Sequence, residues 1–412
     1  MPQPLPTDER SVTPRVCSLA VVAAAVCALV SPVAHAQEDD LPLFLTVSQS
    51  FTRDSNLLKL TDNEEADTLS TTAVRAGLNK AYGRQNYRLD VTASRNNYSK
   101  FDQFNYNGLV SSGEFVTDIG SNFRLTANAA ASETLPKFED SAANRSGRNT
   151  QTVKRGAVDL RYGLYGRMSV NAGYNQSKLK YQITERDNRD SDTWTMGVRY
   201  QPTDLMYYGL TYSHTDTEYV DRPIPEQVQR RNVSLVANWR VTGFSLLSGS
   251  LGYTRERFET DSAADFNGVT GSVAWTFTPA GKMTYRFNWL RDTNNQGGYT
   301  VGGGLVTVSQ QRLTNQFSAA ASWQATAKVS TTLQLVHVRY DEELNQESVV
   351  PVFDADASQQ GRLNSISVGV DYQPMRSLAL GCDLQRYDRT QSQFSRAYSG
   401  RTVSCSLGFT LD

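Results

Sequence analysis

The feature that most constrains this chain is an alternation of apolar and polar residues with a period of two. From Tyr87 onward the odd positions are apolar and the even positions polar, as far as Ser94. The same pattern returns along the chain, for example in 123–128, 158–162, 194–200 and 366–372. A period of two is that of a β-strand with one apolar face. The chain is therefore predicted to be all-β.

The segments between these runs alternate between short turns and long polar stretches. Eight short turns are expected, near 81–84, 118–121, 163–166, 201–204, 241–243, 278–282, 324–328 and 373–376. Nine longer connections separate them, among them 175–192, 215–230, 292–311 and 341–361. Short connections on one rim and long ones on the other are typical of an outer-membrane barrel. We therefore predict a transmembrane antiparallel up-and-down β-barrel of about 18 strands.

The segment 331–340 is the least regular of the predicted strands. Leu333 and Leu335 are out of phase there with Val336 and Val338, so a β-bulge or a count of 16 strands is the alternative. A soluble sandwich would also alternate, but it would leave two sheet edges to protect. A closed barrel satisfies every backbone group within lipid, which favours the barrel.

The beginning of the chain predicts export. Two arginines precede an apolar run at 16–30, and a small-x-small sequence stands directly before Gln37. This order is that of a cleaved secretory signal, and the run is shorter than the roughly 20 residues that a transmembrane helix needs. We predict a signal peptide at 1–36 and a barrel at 37–412, in the Gram-negative outer membrane, with short periplasmic turns and long extracellular loops.

Two cysteines, Cys382 and Cys405, remain after removal of the predicted signal. A hairpin tip near Gln393-Phe394 would place them opposite each other, within disulfide range, and both thiols would point toward lipid. We predict a disulfide, because exported proteins reach an oxidising compartment. The same register opposes Arg386 to Arg401, which is tolerable where the rim is wet or binds anionic lipid headgroups.

The sequence offers little for catalysis or for cofactor binding. It has three histidines, one of them in the predicted signal, so no metal or cofactor site is expected. Ser213, His214 and Asp216 form a local Ser/His/Asp grouping, which leaves an outer-membrane hydrolase as an alternative. Neighbouring strand residues point to opposite faces, so Ser213 and His214 are poorly placed to share a hydrogen bond, and no enzyme is predicted.

Charge bears on the partners of the chain. The 41 basic and 42 acidic residues nearly cancel, which argues against nucleic acid as a partner. The polar faces of the strands carry seven arginines that parity directs into the lumen: Arg75, Arg88, Arg124, Arg161, Arg199, Arg240 and Arg286. Four aspartates share these faces: Asp90, Asp159, Asp371 and Asp383.

Two readings of these lumenal charges stay open. The excess of arginine predicts a mildly basic lumen that lowers the barrier for acidic polymers or other anions. The alternative is that the arginines only pair with acids and hydrate the pore wall.

Two short motifs indicate a family. The first is Asp54–Leu60 (DSNLLKL), just after the first strand, and the second is Tyr82–Gln85 (YGRQ), at the first short turn. They resemble the exosortase-associated extracellular polysaccharide biosynthesis proteins of the EpsL type, a family of outer-membrane β-barrel porins. The resemblance implies a passive conduit for polysaccharide export, with outer-membrane lipid, polysaccharide and periplasmic export components as partners. A general diffusion porin is the alternative function.

Overall fold

The computed structural model describes residues 43–138, 147–222, 225–259, 265–279, 281–293, 299–301, 306–348, 355–391 and 396–411. These residues form strands, turns and two single-turn 3-10 helices, Asp102–Phe104 and Glu185–Asp187. Neither of these helices is long or apolar enough to cross a membrane. The predicted signal peptide lies outside the described residues and stays a prediction.

Eighteen strands form the wall of the molecule. They are β1 Leu43–Asp54, β2 Asp67–Tyr82, β3 Gln85–Tyr98, β4 Tyr106–Ile119, β5 Phe123–Thr134, β6 Gln151–Tyr162, β7 Met168–Tyr181, β8 Arg189–Thr203, β9 Met206–Tyr219, β10 Glu226–Thr242, β11 Ser245–Phe258, β12 Phe266–Phe277, β13 Met283–Thr293, β14 Val306–Gln324, β15 Val329–Ser348, β16 Ala355–Met375, β17 Leu378–Arg389 and β18 Tyr398–Leu411. A three-residue strand, Tyr299–Val301, pairs with β14 beside the wall.

Each strand of the wall pairs antiparallel with its neighbours in sequence, and β1 pairs with β18. This last ladder runs from Leu45 opposite Leu411 to Asp54 opposite Thr402 and closes the sheet. A closed sheet has no free edge strand, so its backbone groups are satisfied within the ring. The prediction of an 18-stranded barrel is confirmed, and the alternative of 16 strands is wrong.

The connections follow the predicted alternation. The eight short turns lie on one rim together with Leu43 and Leu411, the described ends of the barrel. At the first of them Gly83 has φ +58°, a left-handed conformation that glycine adopts at little steric cost. Arg84 beside it donates from Nη1 to the carbonyl oxygen of Gly120 in the next short turn, at 2.6 Å. The YGRQ motif therefore links two turns of this rim.

The strands extend further toward the long connections than the apolar alternation predicts. The polar stretches 175–192 and 341–361 were expected to be loops, but β7 continues to Tyr181 and β8 begins at Arg189. In the same way β15 reaches Ser348. The backbone ladder does not require apolar side chains, and the polar residues of these stretches pair across the strands. The barrel consequently projects beyond its apolar zone on this rim.

The segment 331–340, in which the apolar alternation is irregular, is a continuous part of β15. It pairs residue by residue with both neighbouring strands, so the alternative of a bulge there is wrong. Leu333 and Leu335 are exposed on the outer face, whereas Val338 is buried on the inner face. The register shifts of the described barrel lie beside short turns instead, between Tyr200 and Thr203, Arg240 and Thr242, and Tyr372 and Met375.

The outer face of the barrel is apolar and exposed, as a lipid-facing surface is. Aromatic contacts border it on both sides, such as Phe123 with Tyr162 near the short turns and Tyr174 with Trp194 near the long connections. On β18 the outward apolar residues extend from Val403 to Leu411. The eight steps from Val403 to Leu411, at about 3.3 Å each and a tilt of about 40°, give a band about 20 Å high, which suits an outer membrane.

Candidate functional site in the barrel lumen

All of the predicted lumenal residues lie on the inner face of the barrel, because each alternates with outward apolar residues of its own strand. They are Arg75 on β2, Arg88 and Asp90 on β3, Arg124 on β5, Asp159 and Arg161 on β6, Arg199 on β8, Arg240 on β10, Arg286 on β13, Asp371 on β16 and Asp383 on β17. The structure thus distributes them around the ring and does not gather them in one cluster.

Three of the arginines form ion pairs across adjacent strands or within a hairpin. Arg75 lies 2.5 Å from Asp90, and Arg88 lies 3.4 Å from Glu114. Arg124 donates from Nε and Nη2 to the two carboxylate oxygens of Asp118, at 2.6 and 2.9 Å. These pairs correspond to the alternative interpretation, in which arginines pair with acids along the wall.

Two of these acids, Glu114 and Asp118, were missed by the sequence analysis. Both belong to β4, where Phe115 and Val116 are consecutive apolar residues and hide which positions face inward. The pairing of β4 with β3 and β5 places them on the inner face. The wall is therefore less basic than the seven predicted arginines and four predicted aspartates indicate.

A second group of arginines, on β6 and β8, has no carboxylate partner among the described residues. Arg161 donates to the hydroxyl of Ser169 at 3.0 and 3.2 Å. Arg199 donates to the side chain of Gln201 at 3.0 Å, and its guanidinium lies 3.4 Å from the centre of the Tyr207 ring. Neutral partners orient these two cations and leave their charge uncompensated.

Lumenal charges without an ion pair in the described chain stand on several sides of the ring, among them Asp159 on β6, Arg240 on β10 and Arg286 on β13. Two such charges of opposite sign lie across the lumen from each other. Asp371 on β16 and Asp383 on β17 form no ion pair within the described chain. Arg199 on β8 and Asp383 are nine strands apart in a ring of 18, which makes them diametrically opposed. Arg199 lies four residues before the end of β8 and Asp383 five residues after the start of β17, both at the rim of short turns, and so they lie at similar depth. Arg199 and Asp383 therefore set charges of opposite sign on opposite sides of the lumen.

A polar concavity of about 560 Å³ lies higher on the inner wall, toward the long connections. Its lining includes the hydroxyls of Ser191 and Thr217, which bond at 2.9 Å. Arg230 forms an ion pair with Asp292 at its edge, and the amide of Asn232 donates to Thr254 at 2.6 Å. The arrangement offers many hydroxyl and amide groups, which suits a polyhydroxylated ligand.

A small apolar cluster lies at the rim of the long connections. Tyr98, the last residue of β3, packs with Phe104 and Phe138, which belong to two different long connections. Phe104 is fully buried, and its ring centre lies 4.8 Å from that of Phe138. Leu57 and Leu58 of the DSNLLKL motif pack against the cluster. The sequence alone gives no sign of this contact, because it joins segments that are far apart along the chain.

The remainder of the DSNLLKL motif, Asp54–Leu60, ties the first long connection to the end of the barrel. Asn56 is fully buried and donates from Nδ2 to the carbonyl oxygen of Ser399 at 2.9 Å. Lys59 lies 2.7 Å from the carboxylate of Asp54 and 2.6 Å from the hydroxyl of Tyr387. The residues that carry the family resemblance thus hold the first long connection in place at the mouth.

The predicted Ser/His/Asp grouping is not assembled. Ser213 faces the lumen, whereas His214 faces outward, opposite Trp194 of β8. His214 Nε2 lies 3.0 Å from Asp216 on the outer face, so the imidazole and the Ser213 hydroxyl are on different sides of the sheet. This geometry does not support the hydrolase alternative.

The two cysteines lie directly opposite each other on β17 and β18. Cys382 pairs with Cys405 in the register, their Cα atoms are 4.1 Å apart, and the structure joins them by a disulfide. Both face outward and are exposed between apolar neighbours. The hairpin tip predicted near 393–394 lies outside the described residues.

Comparison with known proteins gives structural likenesses only. No protein-family model matches the chain, and no curated protein sequence matches it. Among solved structures, OccK2 (OpdF) of Pseudomonas aeruginosa has 13% identity and a TM-score of 0.47, over 90% of this chain and 97% of its own. OccAB3 of Acinetobacter baumannii has 9% identity and a TM-score of 0.46, over 90% and 98%. The siderophore receptor PiuA of A. baumannii has 12% and 0.42, over 90% and 82%. The strand pairing itself, and not these likenesses, establishes the fold.

Proposed function

We propose that the chain is a passive diffusion pore of the Gram-negative outer membrane, through which hydrophilic solutes cross the barrel lumen. The observation that carries this proposal is a closed ring of 18 strands with an apolar outer band and a polar inner wall. A strand spacing of about 4.8 Å and a tilt of about 40° give such a ring a backbone radius of about 18 Å. Barrels of this size enclose a water-filled lumen.

The field between these opposed charges supports a preference for solutes that carry separated charges or strong dipoles. Arg161 and Arg199 attract the negative end of such a solute, and Asp371 and Asp383 attract its positive end. Alignment of the solute with the field lowers the barrier to its passage, because charges act more strongly in a confined lumen than in bulk water. A solute with a single charge is attracted by the charges on one side of the wall only.

Recordings from planar bilayers test this function. The purified barrel should produce stable conductance steps, and Arg161→Gln with Arg199→Gln should shift the reversal potential toward cations. The matched pair Asp371→Asn with Asp383→Asn should shift it toward anions, because it removes the same number of charges from the opposite side. Insertion of folded barrel without any conductance step would refute the pore.

Polysaccharide export is a second candidate, favoured by the hydroxyl-rich concavity around Ser191, Thr217 and Asn232. Such groups exchange hydrogen bonds with sugar hydroxyls, and the resemblance of the DSNLLKL and YGRQ motifs agrees with this role. Energy for export would come from periplasmic export components as partners. Polysaccharide added on the side of the short turns should then block the conductance at concentrations that have no effect from the other side. Equal block from the two sides would leave the diffusion pore as the function.

A further inference from the structure

The lipid-facing band ends in an unusual way on β17, β18 and β1, at its edge toward the long connections. The last outward apolar residues there are Leu384 on β17, Val403 on β18 and Phe51 on β1. Directly above them, the next outward residue of each strand is an arginine: Arg386, Arg401 and Arg53. We call these three residues the arginine cluster.

The cluster concentrates positive charge without an internal counter-ion. Arg386 and Arg401 are directly opposite each other in the register, and Arg53 is opposite Val403, the next outward residue of β18. All three are exposed, and none of their side chains forms an ion pair within the described chain. Like charges that face each other across a sheet are destabilising. An anion between them would remove this repulsion.

The height of the cluster identifies the source of the anion. Arg386 follows Leu378, the first residue of β17, by eight positions. At about 3.3 Å per residue and a tilt of about 40°, it lies about 20 Å from the rim of short turns. This is the upper edge of the apolar band, where the headgroups of the outer leaflet lie. Guanidinium groups bind phosphate through paired hydrogen bonds, so lipid phosphates fit this position.

An apolar groove begins at the same arginine. It encloses about 880 Å³ on the outer face, and Leu335 and Ile366 line it near Arg386, with Phe287 and Trp275 further along. A concave apolar surface in the membrane fills with hydrocarbon, and a lipid acyl chain is the hydrocarbon available there. The groove and the cluster share Arg386, so one lipid molecule can occupy both.

Three polar side chains lie beside the arginine cluster, and they favour one kind of lipid headgroup over another. Asn364 donates from Nδ2 to the carboxylate of Asp388 at 3.0 Å, and its Oδ1 lies 2.7 Å from His337 Nδ1. The three side chains are on the outer face and line the upper end of the groove. They present donors and acceptors at headgroup level, which suits sugar hydroxyls better than a simple phosphodiester headgroup.

We propose that this surface binds one phosphorylated, acylated glycolipid of the outer leaflet, of the lipid A type. Its phosphate lies between Arg386 and Arg401 with Arg53 at its side, and its sugar lies along Asn364 and His337. One acyl chain fills the groove. The site lies on the outside of the barrel, so it is independent of what passes through the lumen.

Native mass spectrometry of the purified full barrel, titrated with bis-phosphorylated lipid A, tests the proposal. We expect one tightly bound lipid, and Arg386→Gln with Arg401→Gln should weaken its binding by about tenfold or more, because both charge-assisted contacts are lost. Ala319→Trp, which places an indole in the groove, should also weaken binding. The control Arg240→Gln with Arg286→Gln removes two lumenal arginines and should leave lipid binding unchanged.

Further arms of the experiment separate the alternatives. Dephosphorylated lipid A, phosphatidylglycerol and inorganic phosphate should all bind at least tenfold more weakly to the unmodified barrel. Equal binding of phosphatidylglycerol would overturn the glycolipid, and equal binding by the doubly substituted barrel would overturn the site. Migration of unheated samples on gels verifies folding of each variant. Conductance should be unchanged in Arg386→Gln with Arg401→Gln, so a failure of the pore proposal is recognised separately.

Discussion

The disulfide between Cys382 and Cys405 should contribute measurably to the stability of the barrel. The two cysteines are 23 positions apart, and their bond closes the hairpin of β17 and β18. The loss of chain entropy in the unfolded state for a loop of this length corresponds to about 3 kcal/mol. We therefore expect Cys382→Ala with Cys405→Ala to lower the free energy of unfolding by about 3 kcal/mol. Alanine keeps both positions apolar toward lipid.

Urea titration of the barrel in lipid vesicles, followed by tryptophan fluorescence, measures this difference. The single variant Cys382→Ala should match the double variant, and so should the unmodified barrel after reduction in the unfolded state, because each lacks the same bond. Peptide mapping without reduction gives the direct evidence. Two alkylatable thiols in the folded, oxidised protein, or equal stability of all forms, would refute the reasoning.

Three further predictions concern export, the first long connection and the pore wall. N-terminal sequencing of protein from the outer-membrane fraction should begin at Gln37, and an intact first residue or a soluble product would contradict the signal peptide. Asn56→Ala leaves buried backbone groups without a partner, so it should destabilise the first long connection by about 2 kcal/mol and speed hydrogen exchange there, while exchange in the strands stays slow. Arg88→Gln, Arg124→Gln and Arg161→Gln together remove three positive charges from the wall and should shift the reversal potential toward cations. An unchanged potential would mean that the long connections control selectivity.

Much of the barrel can be predicted from the sequence, because its determinants are local. Alternation with a period of two assigns each strand residue to a face, and on this ground Arg75 and Asp383 are predicted to point inward. The order of short and long connections likewise determined the number of strands and their antiparallel pairing. Where alternation is ambiguous, as at Phe115 and Val116, the assignment failed and the inward acid Glu114 was missed.

Only the closed tertiary structure decided which of these residues act together. Arg199 and Asp383 are separated by nine strands, and nothing along the chain shows that they face each other until the ring is closed. The packing of Tyr98 against Phe104 and Phe138 at the rim of the long connections depends in the same way on segments that meet only in the folded barrel. Alternation reports the side of the sheet on which a residue lies, whereas distance across the lumen depends on the number of strands and their curvature. The faces of the strands were therefore determined by the sequence, and the opposition of Arg199 and Asp383 across the lumen by the fold.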